Sequence, residues 1–223
     1  MPKKANREYR DMMLEIVKRA AEDGEAEKML VAGYASTFNE PYTLWEENWD
    51  GITFRYREQI DARAFDDADL SDVIMQYDHR GRVFARITNN TLTVKTDDKG
   101  LHMEADLGGT ELGRGLFEEI RGGYTDKMSF SFTVSSDEEV KTKDEDGNVD
   151  VLRTVTGISK VYDVSAVSLP ANEGTTIAAE TRSRIDGVIE EVRAERLEAE
   201  QRELIRRRIE LRARALGKDE EHD

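Results

Sequence analysis

Cysteine is absent from the chain, which removes disulfide staples, thiol nucleophiles and thiolate-held zinc from consideration. Histidine is scarce: His79, His102 and His222 are the only three, far apart and in no HExxH pattern, so no metal site is expected. Neither G-x-x-x-x-G-K-[ST] nor G-x-G-x-x-G occurs, and Gly108, Gly109, Gly113 and Gly115 are too irregularly spaced for a nucleotide loop. No cofactor is expected. No run approaches the ~18 apolar residues of a membrane span, and the opening MPKKANREYRDMMLEIVKRA lacks a long apolar segment for a signal peptide. The reading is therefore a soluble, intracellular protein. Positive charge is in deficit, 33 basic against 48 acidic side chains for a net −15, which disfavours nucleic acid and anionic membranes as partners. The deficit sits in residues 1–180, which carry −14.

What is present divides along the chain. Hydrophobic residues make up 38%, below the usual ~45–50%, and charged residues 36% against ~25%, so one globular domain with non-core appendages is expected from 223 residues. Tyr9, Met12, Met13, Ile16 and Val17 are spaced as on a short amphipathic helix over 7–20, and residues 1–27 read as an N-terminal helical extension. The main domain is placed at 28–180. Met29–Thr37 and Phe54–Ile60 read as strands, 38–50 as a loop anchored by Trp45 and Trp49, and Asp61–Leu70 as a short capped helix. A meander follows at 73–75, 83–87, 92–96 and 101–107, separated by NN and DDKG turn signals. Thr110–Ile120 has helical spacing and closes on Gly122-Gly123. Residues 128–134, 152–158 and 162–169 read as strands, with Pro170 ending the last and an acidic excursion, 135–150, forming a solvated hairpin tip or mobile flap. From 181 to 216 Leu197, Leu204 and Leu211 recur every seven residues, with Glu198/Arg202, Glu203/Arg207 and Glu210/Arg214 as i,i+4 pairs. That is a long charged amphipathic helix, read either as an extended solvated helix or as a docking or coiled-coil element; 217–223 is a tail.

Chemistry narrows to a few side chains. A serine nucleophile needs a base within reach, and the base needs an acceptor that orients it, usually from distant parts of the chain. His79 stands where an apolar strand runs out. In MSFSF, Met128, Phe130 and Phe132 share one strand face while Ser129 and Ser131 share the other. Asp163 lies within VYDVSAVSLP, an otherwise apolar or small strand where an acid requires a partner. Taken singly, each also fits an ordinary surface or strand position. The absence of G-x-S-x-G argues against an esterase of the α/β-hydrolase kind.

Several of these residues fall within pieces that resemble the prohead (capsid maturation) proteases of tailed bacteriophages, serine peptidases related in fold to herpesvirus assemblins. The pieces come in order: GYAS-x-F (Gly33–Phe38), E-x-I-x-x-x-A-F (Glu58–Phe65), His79 after an apolar strand, DDKGL (Asp97–Leu101), M-S-F-S-F (Met128–Phe132) and D-V-S-x-V-x-x-P-A-N (Asp163–Asn172). Together they cover roughly 29–178. The resemblance implies an α+β fold, a mostly antiparallel β-barrel of the assemblin type with surrounding helices and a long C-terminal helix. It also implies a serine endopeptidase with Ser129 as nucleophile, His79 as general base and Asp163 as third member; relatives often have Asp after the histidine, Gly at 131 and Glu at 163. Arg153 is one candidate oxyanion donor. The implied partners are the major capsid protein and its scaffolding segment, with the chain itself as a further substrate and self-association open, inside the assembling procapsid in the host cytoplasm. A non-enzymatic capsid scaffolding or assembly protein is the alternative.

Overall fold

A computed structural model describes residues 7–16, 28–49, 51–167 and 179–216. The chain divides into two compact units, Met1–Ala178 and Ala179–Asp223. All strands and the helix α1 (Glu111–Arg121) belong to the first; the second holds α2 (Ala179–Leu216).

The strands of the first unit are β1 (Glu8–Ile16), β2 (Leu30–Thr37), β3 (Tyr42–Trp49), β4 (Ile52–Ile60), β5 (Ile74–Tyr77), β6 (Arg80–Arg86), β7 (Leu92–Thr96), β8 (Gly100–Asp106), β9 (Lys127–Lys143) and β10 (Val149–Val167), with alternating apolar and polar residues clearest in β4, β8 and the first half of β10. They form one sheet in the order β3-β4-β10-β9-β1-β2-β8-β7, with β5 pairing to β10 and to β6. Pairing is antiparallel except where β4 and then β5 run parallel to successive stretches of β10. The fold is α+β, as expected. The sheet is not closed into the expected barrel: β3 and β7 end the path and do not pair with each other among the described residues.

The core is built on the face of β9 that carries Met128, Phe130 and Phe132, all fully buried, with Phe130 stacked on Phe132 at 4.5 Å. Val31, Ala35, Leu101, Met103, Val164, Ala166 and the α1 residues Leu116 and Ile120 join the same cluster. Each large side chain so buried stabilises by about 1.5–3 kcal/mol. α1 starts where Thr110 accepts a hydrogen bond from the Gly113 N–H at 2.9 Å, and Gly113 must be glycine because a Cβ there would stand 2.3 Å from the Leu107 carbonyl oxygen. The opposite face of β9 is buried too, although it carries Ser129, Ser131 and Thr133.

Several local expectations give way to tertiary pairing. The helix expected over 7–20 is strand β1 across Glu8–Ile16, because its backbone finds ladders on both sides, with β9 and with β2. The loop expected at 38–50 contains β3, whose pairing to β4 keeps Trp45 buried while its other residues face outward or sit at the edge. The Asp61–Leu70 helix is a run of turns: the Ala64 carbonyl accepts from Ile158 N–H on β10 at 2.7 Å instead of continuing a helix. The strands expected at 152–158 and 162–169 are one strand, β10, kinked by register shifts between Val155 and Asp163. The acidic excursion extends β9 and β10 as a hairpin with its turn at Gly147; its β9 side is exposed, while Val149 and Val151 are buried where β10 pairs with β4. Pro170, residues 17–27 of the expected N-terminal helical extension and the tail 217–223 lie outside the described residues.

Candidate active site

The hairpin joining β5 to β6 has only two residues in its turn, Asp78 and His79, between the paired Tyr77 and Arg80. Both have left-handed backbones, φ 47° and 55°, as a tight turn that follows the sheet's twist demands. A non-glycine residue held there costs about 1–3 kcal/mol and persists only when its surroundings hold it. Two contacts do so. The Asp78 N–H donates to the Ala166 carbonyl at 2.9 Å, and His79 Nδ1 meets Asp163 Oδ1 at 2.5 Å. β5 runs parallel to β10 with Ile74 opposite Asp163 and Gln76 opposite Ser165, which delivers the turn over this end of β10.

β9 supplies the serines from the other side. In the antiparallel register Ser131 faces Asp163 and Ser129 faces Ser165. Residues two apart on a strand share a face, so these four side chains form a rectangle on the face away from the phenylalanines. All four are buried. Ser131 Oγ donates to Asp163 Oδ2, and Ser165 Oγ donates to Asp163 Oδ1 at 2.7 Å. Burial pushes the Asp163 carboxyl up, but the hydrogen bonds from His79, Ser131 and Ser165 outweigh it and hold the group below its ordinary range. Asp163 is thus an ionised acceptor. With a carboxylate on Nδ1, the imidazole proton sits there and Nε2 is the ring's basic nitrogen.

Ser129 differs from its neighbours. Its Oγ is buried and has no hydrogen-bond partner among the described residues. In the β9–β10 ladder Ser129 is the diagonal neighbour of Asp163 on the same face, and such neighbours stand about 7–8 Å apart. His79 is the most accessible member, its side chain 18% exposed. A base on a carboxylate, beside an unpartnered hydroxyl, is an arrangement suited to activating that hydroxyl as a nucleophile.

The three residues singled out in the sequence therefore come together at one end of β9 and β10. Arg153 does not join them. It lies twelve residues up β10 from Ser165, buried, with its guanidinium donating to Glu8, Glu58 and Asp137. His102 packs edge-on against Tyr34 at 5.1 Å on β8, and His222 is outside the described residues. Ser165 was not singled out in the sequence. The only signal for it was its spacing two residues from Asp163 on the same strand face.

Residues 15–187 match the family model of the caudovirus prohead serine proteases. The chain belongs to that family. Membership makes it, at family level, a serine protease of capsid maturation that interacts with capsid proteins inside the assembling procapsid of the host cell. No curated protein and no solved structure matches the chain. No described helix is long and apolar enough to cross a membrane.

Proposed function

We propose that this prohead protease is an endopeptidase whose nucleophile is Ser129, whose general base is His79 and whose imidazole is oriented by Asp163. Its substrates are the scaffolding segment of the major capsid protein and, as the capsid matures, the chain itself. The observation that carries the reading is the contrast within the buried cluster: Ser131, Ser165 and His79 are each bonded to Asp163, and Ser129 alone has a hydroxyl with no partner among the described residues. A buried, unsatisfied hydroxyl is costly, and its retention beside a histidine–carboxylate pair fits a group waiting for a substrate carbonyl.

In this mechanism Ser129 Oγ attacks the scissile carbonyl carbon as its proton passes to His79 Nε2. Asp163 stabilises the imidazolium through Nδ1–H, and the imidazolium then protonates the leaving amine. Water repeats the sequence to release the acyl group from Ser129.

Co-expression with the cognate capsid protein, read by intact mass, tests the assignment. Ser129→Ala should leave the capsid protein at its precursor mass, whereas Ser131→Ala should still process it at a reduced rate. Cleavage by Ser129→Ala together with silence from Ser131→Ala would transfer the nucleophile's role to Ser131.

A further inference from the structure

Asp163 is held from three directions, and the partition between its two oxygens is uneven. Oδ1 receives His79 Nδ1 at 2.5 Å and the Ser165 hydroxyl at 2.7 Å. Oδ2 receives the Ser131 hydroxyl, and no other hydrogen bond to it is present among the described residues. The Ser131–Asp163 contact is also built in by register, since the two residues are directly opposed across the β9–β10 ladder and both are buried, at 0% and 2% exposure. An aspartate carboxylate rotates about its last torsion unless both oxygens are held. With Oδ1 shared by a histidine on a strained turn, the hold on Oδ2 decides which way the carboxylate plane faces.

We infer that Ser131 is a positioning residue of this protease: its hydroxyl locks the plane of the Asp163 carboxylate and thereby the aim of His79 at Ser129. The inference rests on the proposed roles of His79, Ser129 and Asp163 and adds a fourth member to them. It explains why a second buried serine stands on the nucleophile's own strand face without serving as the nucleophile. It also makes the length of the acid critical. The space beyond Oδ2 is filled by the Ser131 hydroxyl, so a carboxylate one methylene longer at 163 is driven against it, and removing that hydroxyl reopens the space.

Purified full-length protein and the cognate capsid protein as substrate provide the test. Ser131→Ala should lower kcat about tenfold with KM unchanged, a modest share of the ~10²–10⁴ a positioned acid–base group contributes. Because Oδ2 loses a donor, the carboxylate becomes a stronger partner for the imidazolium, and the acid limb of the pH–rate profile should move to higher pH. Ser131→Thr, which keeps a hydroxyl, should restore both. In a double-mutant cycle with Asp163→Asn, Ser131→Ala should have no further effect, because a residue that acts only through the carboxylate has nothing left to position. Asp163→Glu should be rescued in part by adding Ser131→Gly and not by Ser131→Thr.

The outcomes separate the two levels of the argument. If Asp163→Asn impairs cleavage while Ser131→Ala leaves kcat and the acid limb where they were, the positioning role is wrong and the triad stands. If Ser131→Ala slows cleavage equally with and without Asp163, the serine is merely structural and the inference fails. If Asp163→Asn itself cleaves at the wild-type rate, the underlying assignment falls first. Should Ser131→Ala not fold, the Asp163→Glu arm decides: no difference between Ser131→Gly and Ser131→Thr in that background overturns the inference.

Discussion

Asp163 sits at the meeting point of three donors, and its titration links the site to stability. Its folded pKa lies below the ordinary 3.8, because the hydrogen bonds from His79, Ser131 and Ser165 outweigh the effect of burial. A depressed carboxylate contributes stability that is fully present above its unfolded pKa and is lost as pH falls through the folded one. Asp163→Asn should therefore be less stable than wild type in urea at pH 7, with the gap narrowing below about pH 4 and closing in stronger acid. A gap that stays constant from pH 7 to pH 2 would mean that the carboxylate's charge is not what stabilises. The same residue shows what could be read at this scale. An acid inside an apolar strand, a histidine at a strand's end and alternating serines were all visible one residue at a time. The bond from Ser131 was not, because it depends on the register of two strands some thirty residues apart, and alternation within one strand says nothing of register.

Among the elements, β1 shows most clearly how tertiary contacts override local pattern. Its Arg10 donates to Glu58 from Nε at 2.6 Å and from Nη2 at 2.7 Å, and also to Glu8, while Arg153 on β10 donates to Glu58 and Glu8 at 2.8 Å. Tyr42 on β3 donates to Glu58 as well, at 2.5 Å. Glu58 is fully buried and stands in register with Arg153 on one side and Tyr42 on the other, so one carboxylate ties β1, β3, β4 and β10 together. Burial pushes the Glu58 carboxyl up, but Arg10, Arg153 and Tyr42 more than offset it. The helical spacing of Tyr9, Met12 and Ile16 was real, yet it carried no information about a buried carboxylate forty-eight residues away. Strands β4 and β7 were legible because their own alternation matches the face they bury, and β2 because its run of strand formers is buried on both faces; β3 was hidden because an edge strand with one buried anchor reads as a polar loop. Glu58→Gln should lower the unfolding free energy by about 3–5 kcal/mol, since it leaves two guanidinium groups buried against too little negative charge. Breaking the exposed Arg55–Glu46 pair on the neighbouring strands should hardly move the urea midpoint. Equal effects from the two changes would show that the buried network is not what seats β1.

At the scale of the whole molecule, chemistry and charge are distributed differently. Every residue of the site lies in the first compact unit, and the family match ends at residue 187, leaving most of α2 beyond it. The described surface of α2 from 197 to 212 is exposed all round, including Leu197, Leu204, Ile205, Ile209 and Leu211. Its sequence is also polarised: residues 201–216 hold six arginines and two glutamates in a chain whose net charge is −15. A helix that holds none of the site residues named above and presents apolar and basic side chains is suited to placing the enzyme rather than to catalysis. Deleting residues 188–223 should leave the rate of capsid-protein cleavage by the purified enzyme unchanged while lowering the number of protease copies that co-purify with procapsids. Salt should act on the second quantity more than on the first, because arginine contacts at a surface are screened within ~8–10 Å at ordinary ionic strength. A shortened chain that enters procapsids as well as the full one would remove that role from α2, and one that no longer cleaves would put α2 among the elements the site depends on.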